Sequence, residues 1–115
     1  MAKFFSVHSI VAVVVLAIAF SGCKKEDMLS LDDEEFIFEY AAETMKTTVI
    51  TNVRWTAIAT ADWITLSPAE GKITARMSIS VSENTGGSER SADVIVTQVG
   101  GEGLSDTLKV IQAAK

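Results

Sequence analysis

Few side chains in this sequence are equipped for chemistry, and their placement limits what that chemistry can be. The chain has one cysteine, Cys23, and one histidine, His8, both near the N-terminus. A Ser or Thr nucleophile further along would have no imidazole base. Paired carboxylates can hydrolyse a glycoside, and Asp62, Glu70, Glu83 and Asp93 are available. Nothing in their spacing brings two together, so they read as solvated turn charges. One Cys and one His leave no disulfide framework and almost no metal-site chemistry. The run Asp32-Asp33-Glu34-Glu35 lacks the Gly and the alternating ligand spacing of a calcium loop. No catalytic residue, metal ligand or cofactor is expected.

Recognition is the chemistry that remains. Glycans stack their CH faces on exposed aromatic rings, with polar groups alongside to hold hydroxyls. Trp63 is the aromatic whose strand parity turns it outward or toward an edge. Asn84 and Arg90 flank the Gly-rich loop 83–88 and could serve the hydroxyls. Each has a structural alternative. Trp63 could cap the core, Asn84 could bond the loop backbone, and Arg90 could tie down a carbonyl or carboxylate. The net charge is −5. Without residues 1–22, which contribute Lys3, nine basic and fifteen acidic side chains remain, a net −6. An acidic chain with no basic cluster excludes nucleic acid as a partner.

The first 22 residues read as an address. Lys3 and the amino terminus precede an unbroken apolar run at residues 10–20, eleven residues long. That is the length of a signal-peptide core, whereas crossing a bilayer takes about 20 apolar residues. The run closes on Phe20-Ser21-Gly22-Cys23, which resembles the lipobox of bacterial lipoproteins. There the Cys thiolate takes a diacylglyceryl group and becomes the first residue of the mature chain. Phe20 stands where Leu is usual. One acyl chain holds a protein only marginally, and two or more anchor it firmly. Lys24-Lys25-Glu26-Asp27 is similar to the export tags that carry lipoproteins of Bacteroidetes-type bacteria to the outer leaflet of the outer membrane. The expected location is therefore the outer membrane, lipid-anchored at Cys23; the charged run reads equally as an export tag for surface display or as a solvated tether. Residues 23–35 hold six acidic side chains and read as a self-repelling flexible tether. Its last twelve residues, 24–35, span about 40 Å when extended.

From residue 36 the chain alternates with a period of two. Phe36, Phe38, Tyr40 and Ala42 share one face, and residues 43–46 then turn the chain. Val53, Trp55, Ala57 and Ala59 form an inward face, which places Trp55 in the core and Ile58 outside. Ile64 and Leu66 face in, and Pro68 ends that strand because it lacks a ladder donor. Gly71 is expected to supply a positive φ in the following turn. Met77, Ile79 and Val81 face in, as do Ala92, Val94 and Val96, and then Leu108, Val110 and Gln112. About seven short strands separated by turn residues, with no helix after the signal, predict an all-β, immunoglobulin-like β-sandwich at residues 36–115.

The same residues carry a resemblance. Trp55, then Trp63-Ile64-Thr65-Leu66-Ser67-Pro68 with Gly71, then Ile79-Ser80-Val81 before Glu83-Asn84, then Arg90 and the closing Val110-Ile111-Gln112 resemble a BACON domain (Bacteroidetes-associated carbohydrate-binding often N-terminal). The resemblance spans roughly residues 36–114. It implies an immunoglobulin-like sandwich in surface glycan-handling proteins, either binding glycan or holding other domains away from the membrane. Such modules usually precede a larger domain, and here the sequence stops at Lys115. The leading expectation is a non-catalytic envelope lipoprotein acting as spacer or interaction domain. The alternatives are a surface glycan-binding protein of a polysaccharide-utilisation system, with Trp63 in the site, and a subunit that docks on a surface protein complex through its edge strands.

Overall fold

The computed structural model describes residues 26–115. The expected signal peptide, the acylated Cys23 and Lys24-Lys25 lie outside the described residues. Nine strands form: β1 (Leu29–Leu31), β2 (Glu35–Phe38), β3 (Glu43–Thr51), β4 (Trp55–Ala59), β5 (Ile64–Ser67), β6 (Glu70–Gly71), β7 (Ala75–Val81), β8 (Arg90–Gln98) and β9 (Ser105–Gln112). They build a four-stranded sheet, β1-β3-β7-β5, facing a five-stranded sheet, β2-β9-β8-β4-β6. The β2–β9 pair is parallel; the other ladders are antiparallel. This is an immunoglobulin-like β-sandwich.

Period-two alternation explains where the core sits. Side chains at i and i+2 share a face, so Trp55 and Ala57, Met77, Ile79 and Val81, Val94 and Val96, and Leu108 and Val110 all meet between the sheets. Phe38, Leu31, Val49 and Ile64 complete the cluster. Ile58 falls on the outer face and is exposed, as its parity requires.

Two strands exceed the expected seven, and one of them redraws the domain boundary. β1 lies inside the stretch expected to be tether. Leu31 is buried in the core, and β1 pairs with the end of β3, Leu29 opposite Thr51. The acidic residues beside it are acceptors as well as solvated charges. Asp106 accepts from the Leu31 amide at 2.8 Å, and Asp33 accepts from the Thr47 hydroxyl at 2.8 Å. The Asp32 amide donates to the Thr48 carbonyl and the Lys109 amide to the Glu34 carbonyl. The acidic run is thus the crossing by which the chain leaves one sheet and joins the other. Composition alone hid this, because two leucines were outnumbered by charge.

The alternation from Phe36 stops earlier than expected. β2 ends at Phe38, Tyr40 is 39% exposed rather than core, and residues 43–46, expected as a turn, open the nine-residue β3. The bend falls at Tyr40 and Ala41 instead. There the Tyr40 carbonyl receives the Asn84 amide at 2.8 Å and the Gln112 side chain at 3.1 Å, which pulls the backbone off the sheet.

Gly71 also has a different role. It belongs to β6, opposite Trp55, and the positive φ angles lie at Gly100, Gly101 and Gly103 in the β8–β9 connection. What position 71 requires is the absence of a side chain: a Cβ there would stand 2.7 Å from Trp55 Cζ2. The indole fills that space and donates Nε1–H to the Ile73 carbonyl at 3.0 Å. Gly71→Ala must therefore displace a fully buried Trp. We expect a loss of about 1–3 kcal/mol, the usual cost of overpacking, seen as a lower urea midpoint with an unchanged slope.

Candidate functional site

Trp63, Asn84 and Arg90 come together at the end of the sandwich where β8 begins and β9 finishes. Arg90 and Gln112 are directly opposite in the ladder, with side chains on the inward parity. The guanidinium lies 4.3 Å from the centroid of the Trp63 ring, a cation–π distance. Its Nε donates to Gln112 Oε1 at 2.8 Å, and its Nη2 donates to the Ser82 carbonyl at 3.0 Å and the Glu83 carbonyl at 3.3 Å. Gln112 is fully buried and gives its amide hydrogens to the carbonyls of Tyr40 and Ser82, at 3.1 and 2.9 Å. Two side chains thus join β8, β9, the end of β2 and the end of β7.

Asn84 does the same for the loop. It is 3% exposed. Its Nδ2 donates to the carbonyls of Ser88 and Ala113 at 2.9 and 3.0 Å, and its Oδ1 accepts the Gly86 amide at 3.1 Å. Both of its amide hydrogens are engaged, and the side chain presents almost no surface. Asn84 therefore organises the loop and does not reach a ligand in this conformation. Trp63 packs against the core cluster, half-buried, with Arg90 on its ring. The sequence placed these residues near one loop; their distant bonding partners, such as Ala113 for Asn84 and Gln112 for Arg90, were not visible in it.

The four expected turn carboxylates sit on four different segments of the chain. Asp62 follows β4, Glu70 is in β6, Glu83 follows β7 and Asp93 is in β8. Glu83 pairs with Lys115 at 3.6 Å. Among the described residues no cluster of three or more His, Cys, Asp or Glu is placed to hold a metal.

A second feature lies at the opposite end. The two-residue β6 leaves a cleft of about 460 Å³ lined by Arg54, Thr56, Glu70, Lys72 and Val99, above Trp55 and Gly71. Trp55 is 0% exposed, so its ring supports the floor without offering a face for stacking. Arg54 and Lys72 flank the Trp and Gly that the sequence already marked, and that charge pattern was the available signal for the cleft.

Two facing sheets, with polar side chains closing one end and an open cleft at the other, define an immunoglobulin-like module. The family model for BACON, described as "Putative binding domain, N-terminal", matches residues 53–113. That is more than half of the sequence, and the chain belongs to this family. No curated protein matches it. Among solved structures, a Bacteroides ovatus GH5 xyloglucanase in complex with a XXXG heptasaccharide is similar with a TM-score of 0.69 at 17% identity, over 78% of this chain and 19% of that one. The periplasmic chaperone SfaE matches with a TM-score of 0.63 at 11% identity, over 76% of this chain and 58% of the chaperone. The E. coli chaperone DraB matches with a TM-score of 0.60 at 13% identity, over 75% and 54% respectively. The chain spans about a fifth of the xyloglucanase and little more than half of each chaperone. At these identities the likeness is one of fold.

The Arg90 network can be tested by substitution. Arg90→Lys keeps the charge but loses the planar fork that reaches Gln112 and two carbonyls at once. We expect a loss of about 1.5–3 kcal/mol, the range for hydrogen bonds to charged groups. In a double-mutant cycle with Gln112→Ala the two losses should be strongly non-additive in urea denaturation, because the residues share partners.

Proposed function

We propose that this chain is a non-catalytic module of a bacterial cell envelope, lipid-anchored at Cys23, that acts as a spacer or contact surface. The observation that carries this reading is the use of Arg90, Asn84 and Gln112. The groups that resembled a ligand site are occupied in closing the fold. The lipobox-like Phe20-Ser21-Gly22-Cys23 and the charged residues after it support outer-membrane placement at the cell surface.

Glycan binding is the second reading, favoured by the cleft, where Arg54, Thr56, Glu70 and Lys72 present polar groups of both charges. Trp63 contributes to it only the ring surface that Arg90 leaves open. Docking through strand edges has less support. The edge strands β1, β2, β5 and β6 are 3, 4, 4 and 2 residues long, and short edges are a common way of discouraging strand addition.

Two measurements test these readings. Cys23→Ala should abolish incorporation of labelled palmitate and release the protein from the membrane fraction; continued labelling would place the anchor elsewhere. A glycan screen of the full chain at ~1 mM ligand, a threshold of about 4 kcal/mol, should show no binding. Binding lost in folded Arg54→Ala or Trp63→Ala variants would establish the second reading and locate its site.

A further inference from the structure

We propose that the cleft end of the sandwich lies on the bilayer surface, with Met28, Ile73 and Val99 inserted among the lipid headgroups. This deepens the envelope reading and rests on acylation of Cys23.

The tether is short. The chain is fastened to the domain from Glu26 onward. Asn52 Nδ2 donates to the Glu26 carbonyl and Asn52 Oδ1 accepts the Met28 amide, both at 2.8 Å. The Thr51 hydroxyl donates to the Met28 carbonyl at 2.7 Å. Gln98 Nε2 donates to the Asp27 carboxylate at 2.9 Å. Only Lys24 and Lys25 separate Glu26 from Cys23. That length of chain spans at most about 10 Å at full extension, against about 40 Å for a twelve-residue linker. An acylated Cys23 would bring this end of the domain to the membrane.

The surface presented there suits an interface. Met28 is 47% exposed, Ile73 64% and Val99 48%. They come from the segment before β1, the β6–β7 connection and the β8–β9 connection, yet all lie beside the turn at residues 52–54. The Met28 carbonyl accepts the Asn52 amide, the Ile73 carbonyl accepts the Trp55 indole, and the Val99 amide donates to the Arg54 carbonyl. These bonds fix the backbone at the three positions. Arg54 and Lys72 can lay their aliphatic stems along the lipid and keep their charges at headgroup level. Glu26, Asp27, Glu70 and Glu102 outnumber those two cations, so apolar insertion leads the contact and anionic lipid is not the attractant. The other exposed isoleucines, Ile37 and Ile58, project from the outer face of the five-stranded sheet, which would stand upright above the membrane.

The test uses the full chain, produced in cells that acylate it and reconstituted into phosphatidylethanolamine–phosphatidylglycerol vesicles. Cys23 is the sequence's only cysteine and acylation blocks its thiol, so an introduced cysteine can be labelled alone. An environment-sensitive fluorophore is placed by Ile73→Cys, by Val99→Cys, and by Ser88→Cys at the opposite end. Folding of each is checked by circular dichroism. The first two labels should emit to the blue and be quenched several-fold more by lipids with brominated chains, matching insertion of about 5–10 Å. The Ser88→Cys label should behave as in water. If the protein floats with the vesicles and its mass carries the acyl groups, yet all three labels are equally hydrated, docking is overturned and the anchor stands. If the mass lacks acyl groups and the protein does not float, the anchor fails, and the docking proposal falls with it.

Discussion

A two-sheet sandwich leaves loose segments at both ends, and in this domain side-chain amides tie them down. The described strands contain no cysteine, so no covalent bridge ties one sheet to the other. Gln112 ends β9 and Gln98 ends β8, both buried, each bonding to segments outside its own ladder. Gln98 accepts the Leu104 amide at 3.1 Å as well as donating to Asp27. A buried amide costs free energy unless its donors and acceptor find partners. Here no buried side-chain polar atom of the described residues lacks one. The penalty for an unmade bond therefore disfavours any arrangement in which the end segments drift, and this gives a domain with a modest core a single closed form.

The legible features of the fold were those governed by local alternation. Met77, Ile79 and Val81, then Val94 and Val96, then Leu108, Val110 and Gln112 all face inward as their parity requires, and Trp55 is core. Departures arose where a distant partner decides the conformation. Tyr40 continues the pattern of Phe36 and Phe38 by parity, but its carbonyl is captured by Asn84 and Gln112. Leu29 and Leu31 sit among carboxylates, and their pairing with β3 could not be read from composition. Gly71 has the sequence of a turn and the function of a gap, because the indole that needs the gap belongs to another strand.

The same limit governs the functional reading. From sequence alone, Arg90 and Asn84 beside a Gly-rich loop admit two readings, contact with a ligand or a tie on the loop backbone. In three dimensions their hydrogen bonds go to carbonyls of Ser82, Glu83, Ser88 and Ala113. Charged and amide side chains near loops serve both ends, and the deciding quantity is how many of their bonding positions are already filled. By that measure the bonding positions of Asn84 and Arg90 are taken up by the fold, whereas Arg54, Thr56, Glu70 and Lys72 line an open cleft at the other end.

The parallel β2–β9 pairing has a mechanical consequence. The chain enters near Gln98 and Asn52, and β9 delivers it to the opposite end of the sandwich. A pull applied between the two ends of the domain would load β1 against β3 first and, once it reaches β2, drag β2 toward one pole and β9 toward the other. Neighbouring parallel strands pulled in this way slide lengthwise, so their rungs (Glu35 with Lys109 through Phe38 with Gln112) bear the load together. An antiparallel hairpin pulled at its open end would instead unzip rung by rung. The topology thus sets β2 and β9 in shear, not in peel, when the two poles of the sandwich are pulled apart.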